Sequence, residues 1–273
     1  MSGVGIVCFT SCYLIALCLE ITRVFFRSAI RNAFVLLWIL AGLTAHTFYL
    51  YYHTAVFPEV NSARTYFLVS AWGLVIASIC LSHFRPKTPF GIVLLPLALL
   101  LIGGAILVPD TLNSVQRSEF NLIYRNIHTG TFFLATLALS IGFTAGVLYL
   151  IQDRQLRLKR PPFSLFLLPS LEWSLKICRY SVWSALFFLA TSIVFGVLLK
   201  LNFSVSRNVS IFDPLVIGSI ILFIALACFS EKLFSSAKGK PAALLALFIF
   251  SFLILVLLLA VLLNNSHWQE VVR

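Results

Sequence analysis

NIHTGTFFLATLALSIGFTAGVLYLIQDRQLRLKR, residues 126–160, decides the reading of this chain. After its histidine, His128, come about 22 mostly uncharged residues, enough to cross the ~30 Å hydrocarbon core of a bilayer. A basic run then follows: Arg154, Arg157, Lys159 and Arg160. Basic residues concentrate at the cytoplasmic end of a membrane helix, so this run orients the span and puts His128 at its extracytoplasmic end. Thr131, Ala135, Ala138, Gly142 and Ala145 recur at helical spacing on one face, and Gly142 and Gly146 form a GxxxG pair. Small residues let helix backbones approach closely in lipid, so this face is expected to point into a bundle.

The rest of the chain fits the same solvent. Of 273 residues, 60% are hydrophobic and only 11% charged, and the mean hydropathy is +1.01. Soluble domains of this length are not so apolar. The expected fold is an all-α integral membrane protein, a single polytopic domain over residues 1–273. Apolar runs at 4–21, 35–52, 66–83, 91–108, 127–152, 180–201, 213–230 and 242–263 predict a bundle of about eight transmembrane helices. The run at 4–21 lacks a basic segment ahead of it and reads as a retained first span, not a signal peptide.

The formal charge of +11 would suggest nucleic acid on a soluble protein. Here the basic residues fall in short loops, where they set topology and meet anionic lipid head groups; no nucleic-acid partner is implied. Loops after the first, third, fifth and seventh runs hold three, two, six and three of the 20 Lys and Arg residues. That imbalance predicts these loops in the cytoplasm and both termini extracytoplasmic. The segment 54–65 is then a short external loop. The segment 161–179, PPFSLFLLPSLEWSLKICR, is broken by three prolines and mixes apolar and charged residues from Ser170 on. It predicts a short helix in the cytoplasmic interface, leading into the sixth span.

Motifs for several chemistries are missing from the sequence. It has no Walker A loop, no GxGxxG, no GxSxG and no HExxH, which argues against a nucleotide-driven pump or a soluble-type hydrolase. The six cysteines include no CxxC pair, and nearly all sit in apolar runs, where they serve as small hydrophobes. The histidines carry more information. His46 lies two turns, about 9 Å, inside the external end of the second span. An imidazole at that depth faces a bundle interior or a cavity, as a functional group or hydrogen-bonded to a neighbouring helix. His128 and His267 fall at the external ends of the fifth and eighth spans, His53 at that of the second. Asp213, followed by Pro214, opens the seventh, and helix capping alone accounts for that pair. Two histidines on different helices at one depth suit a haem iron, another metal, or simply a wet interface. From the residues alone the interfacial reading is the simplest.

A family resemblance shifts that balance. The stretch from His128 through QDRQLRLKR resembles the histidine-led core helix of the cytochrome c assembly family, the CcsA/CcmC type of haem-handling membrane protein. LPSLE at 168–172, Phe212-Asp213-Pro214, KPAALL at 240–245 and Ser266-His267-Trp268 resemble successive segments of the same family. The likeness covers residues 120–268, with 1–110 more loosely similar to the eight-span HemX-like members. It implies haem as cofactor, with His128 and His267 as axial ligands of its iron. Phe212-Asp213-Pro214 falls where the family's haem-presenting motif ends, which sets Asp213 beside that site, and His46, from its depth in the second span, is expected to line the same cavity. The likeness also implies other cytochrome c maturation proteins as partners, and a bacterial inner (plasma) membrane. The family's tryptophan-rich haem-presenting segment corresponds to SRNVSIFD at 206–213, which has no tryptophan, and a further family histidine corresponds to Glu231. The resemblance therefore implies an accessory haem-handling protein that is not a stand-alone enzyme. The HemX-like members imply the alternative, a regulator of tetrapyrrole synthesis that acts through protein contacts and holds no haem.

Overall fold

A computed structural model describes residues 5–22, 29–56, 63–85, 88, 90–108, 119–158, 168–202, 214–235 and 239–267. Everything described is helix or short turn. In chain order the helices are α1 (Ile6–Thr22), α2 (Ala29–Val56), α3 (Ala63–Phe84), α4 (Gly91–Leu107), α5 (Glu119–Arg157), α6 (Leu171–Asn202), α7 (Pro214–Ser235) and α8 (Gly239–His267). Five helical segments are long and apolar enough to cross a membrane: Ile30–His53, Arg64–Phe84, Ile123–Arg157, Leu171–Leu199 and Gly239–Leu259. Ile6–Thr22, Gly91–Leu107 and Val216–Cys228 are shorter apolar helices. Large side chains such as Phe34, Leu37, Phe187, Val194 and Phe248 stand exposed on these helices. In water such surfaces would aggregate, so they mark a membrane-embedded protein.

Two compact units result. The first comprises Met1–Asn113 with Arg154–Pro169, the second Ser114–Asp153 with Ser170–Arg273. In the first, α1 packs on α2 and α4, and α3 packs on the same two, which closes a four-helix ring. Its core includes Phe9, Tyr13, Leu68, Leu74, Leu94 and Ile102. Glu20 is buried at the end of α1. A Cβ at Gly91 would lie 3.3 to 3.5 Å from its side chain, so the carboxylate sits at the first turn of α4. Negative charge is favoured at a helix N-terminus, which offsets part of the cost of burial. Pro96 lies inside α4 with its ring on an exposed face, and it removes the N–H that would bond the Ile92 carbonyl.

In the second unit α5 runs antiparallel to both α6 and α8. Tyr124 meets Phe195, and the Cys178 thiol reaches the Gly142 carbonyl at 3.4 Å. Phe143 meets Phe250, while Gly146 and Tyr149 lie against Ala243 and Gly239. The small face of α5 is buried as expected at Ala135, Gly142, Ala145 and Gly146. A Cβ at Gly142 would meet Cβ of Ser181 at 3.0 Å, and one at Gly146 would meet the Ala243 carbonyl oxygen at 3.1 Å. Such spacing needs residues without side chains. Beside them Thr136, Ser140 and Thr144 form a buried row of hydroxyls. Each donates to the carbonyl four residues earlier, at 3.1, 2.8 and 2.8 Å, so none of these three hydroxyls is left bare.

The helix ends depart from expectation in three places. Helix α5 begins at Glu119, eight residues before the apolar run. Helix α2 continues to Val56, into the segment expected to be loop, and 57–62 lie outside the described residues. No separate interfacial helix precedes the sixth span, because Leu171–Asn202 is one continuous helix. Ser170 starts it, accepting the Trp173 N–H on its hydroxyl at 3.3 Å and the Ser174 N–H on its carbonyl at 3.0 Å. The last proline of that segment, Pro169, stands before the cap, and nothing after it breaks the helix.

Candidate functional site

His128 lies in α5, in the third turn from its start, and its ring reaches across to α6. Nδ1 donates to the Ser192 carbonyl oxygen at 2.7 Å. The Ser192 hydroxyl lies 3.1 Å from the same nitrogen and 3.0 Å from the His128 carbonyl oxygen. One turn further along α6, Gly196 makes room for the ring: a Cβ there would fall 2.9 Å from Cε1 and 3.0 Å from Nδ1. The imidazole thus bridges two helices and is half-buried. A histidine whose Nδ1–H is held by a backbone carbonyl is arranged as metal-binding histidines usually are, with Nε2 as the donor atom. In its donor chemistry His128 fits a haem iron.

His267 is the last residue of α8. Its side chain lies outside the described residues, and so does Asp213 altogether. Chain direction still says where their segments run. Because α5 and α8 are antiparallel, the start of α5 and the end of α8 occupy one end of the second unit. Gly218 of α7 packs on Val256 of α8, and the two helices are joined by a link of three residues, so α7 begins at that end too. The start of α5, the start of α7 and the end of α8 thus share one end. Lys240, in the first turn of α8, belongs to the opposite one.

His46 belongs to the first unit, and there the sequence reading receives detail it lacked. The ring is fully buried in α2. Phe9 of α1 stacks on it face to face, with centroids 4.1 Å apart and planes 1° from parallel. The Tyr13 hydroxyl lies 3.3 Å from its Nδ1. Its Nε2 is buried without a hydrogen-bond partner among the described residues, as is the Ser70 hydroxyl in α3 of the same ring. Aromatic stacking and one hydrogen bond therefore account for half of this polar ring, and the other nitrogen stays unpaired. His53, two turns on, meets Tyr49 at 5.6 Å, and His83 is exposed beside Phe84.

Ser192 and Gly196 were not singled out by sequence. They sit in TSIVFG, an apolar run in which small residues four apart normally mean helix packing. Phe9 and Tyr13 were missed for the same reason, because aromatics in a membrane span are common. Among the described residues no group of three or more His, Cys, Asp or Glu could hold a metal ion. Comparison of the chain with family models, curated proteins and solved structures finds no match.

Proposed function

We propose that the chain is an eight-span, multi-pass protein of a bacterial inner membrane, with both termini extracytoplasmic. In this reading it binds or relays haem at the external face during cytochrome c maturation, together with other membrane proteins of that process. The observation that carries it is the His128 ring. Its Nδ1 is tied to the Ser192 carbonyl, near the start of α5 in the second unit. Burying a polar ring among apolar helices is costly, and a bundle that fixes its orientation so fully has a use for the remaining nitrogen. His267, on the segment converging there, supplies the second axial nitrogen. Asp213 orients a histidine or caps α7. Arg125, one turn before His128, stands where a propionate would meet a positive charge. Haem, when bound, would supply an iron centre, and the imidazoles of His128 and His267 would hold it.

Two of the eight helices, α1 and α4 at 17 residues each, are short by length alone, yet α1 lies antiparallel against the long α2 from Phe9 to Tyr13, and α4 packs on both α1 and α3. Helices embedded this way share the slab their neighbours cross, which supports eight spans over five. The functional reading is tested by titrating detergent-purified protein with ferric haem and recording the visible spectrum. A Soret band of bis-histidine character is expected. It should weaken to a five-coordinate or water-ligated form in His128→Ala or His267→Ala, and vanish in the double variant. Protein that stays colourless at good yield, or a double variant that keeps its haem, would favour the regulatory alternative.

A further inference from the structure

The contact between α5 and α6 at His128 fixes which ring nitrogen carries the proton. The Ser192 hydroxyl has one proton, and the His128 carbonyl at 3.0 Å accepts it. Toward Nδ1, at 3.1 Å, that hydroxyl therefore presents a lone pair. The Ser192 carbonyl, 2.7 Å from the same nitrogen, can only accept. A bare Nδ1 would face two lone pairs at contact distance, so Nδ1 holds the proton. In the neutral ring Nε2 then keeps its own lone pair. Gly196 sets the ring's position. Its absent Cβ would lie 2.9 and 3.0 Å from Cε1 and Nδ1 but 3.8 Å from Nε2, so the ring edge seated on α6 is the one away from Nε2.

We infer that Ser192 and Gly196 are positioning residues that hold His128 in the Nδ1–H tautomer and so make Nε2 the nitrogen offered to a haem iron. The haem half rests on the function proposed above, whereas the tautomer half rests on the α5–α6 geometry alone. Neither residue touches iron. Both act through the ring, and their loss should change how the imidazole is presented before it changes the fold. Gly196→Ala suits this test because its new methyl meets the tip of a flexible side chain, and not the α5 backbone. The ring gives way and leaves the Ser192 carbonyl.

The experiment uses the full chain in detergent with 15N-labelled histidine. The His128 signals are identified by their loss in His128→Gln. The wild type should show the Nδ1–H pattern without haem. Gly196→Ala should lose that pattern or mix it with the other tautomer, and should weaken ferric haem binding about 10–100-fold. Ser192→Ala should weaken binding less, because the backbone carbonyl stays, and Ser192→Thr should restore it. A wild type in the Nε2–H form overturns the inference. So does a Gly196→Ala protein with unchanged tautomer and haem affinity. If Gly196→Ala does not accumulate, the serine pair decides: Ser192→Ala matching wild type in both tautomer and affinity overturns it. A wild type with the expected tautomer that takes up no haem removes the proposed function and leaves the positioning role of Ser192 and Gly196 in place.

Discussion

A single missing methyl group decides how Tyr13 and His46 meet. A Cβ at Gly42 would lie 2.6 and 2.8 Å from Tyr13 ring atoms and 3.0 Å from Cβ of Cys12. Tyr13 is fully buried and has nowhere to retreat. Gly42→Ala should therefore displace the phenol, break its 3.3 Å contact with His46 Nδ1 and cost roughly 1–3 kcal/mol as an overpacked core does. Thermal unfolding in detergent checks this, and an unshifted melt would show that α1 slides freely on α2. The sequence showed that an imidazole two turns inside a span needs a partner. It did not show which one, because the stacked Phe9 and the hydroxyl of Tyr13 come from another helix. Periodicity within α2 says nothing about the rotation of α1. The same holds for His128, whose partner Ser192 is 64 residues away in the chain.

At the level of the helix, composition carried most of the information and end effects the rest. Each of the eight apolar runs lies on one of the eight described helices, because a run of that length has no other way to satisfy its backbone in lipid. The ends were less legible. Residues 119–126, EFNLIYRN, mix polar and apolar side chains ahead of the apolar run and continue α5, and the charged turns after Leu171 continue α6, so hydropathy saw only the middle of each. The buried face of α5 was legible because close packing needs residues of one size, and that requirement is written locally at Gly142 and Gly146. Gly142→Leu should separate α5 from α6, since the Cβ alone would already stand 3.0 Å from Cβ of Ser181 and the Cys178 thiol bonds the Gly142 carbonyl. Yield and melting temperature should both fall, while residual folded protein keeps its spectrum. A variant as stable as wild type would mean that the two helices part without loss.

For the whole molecule the quantity to measure is the number of crossings, and the distribution of charge says what each count predicts. With eight crossings Met1 and Arg273 lie on the same side of the membrane. With only the five long segments crossing they lie on opposite sides. Fourteen of the 20 basic residues fall in the segments after the first, third, fifth and seventh apolar runs, the pattern that eight crossings turn into one cytoplasmic face. If α4 failed to cross, Lys87 and Asn113 would share a side, and the segment after the fifth run with its six basic residues would move to the face opposite the segment after the first. Single cysteines placed in a cysteine-free variant at Lys87, Asn113, Lys159 and Asn208, all outside the described residues, separate these cases by their reaction with an impermeant thiol reagent in intact cells. Asn113 and Asn208 should label from outside, and Lys87 and Lys159 only after permeabilisation. Lys159 and Asn208 are separated by α6 alone, so labelling of both from one side would mean that α6 does not cross. His128 and His267 would then lose the shared leaflet that their pairing requires, whatever either imidazole does by itself.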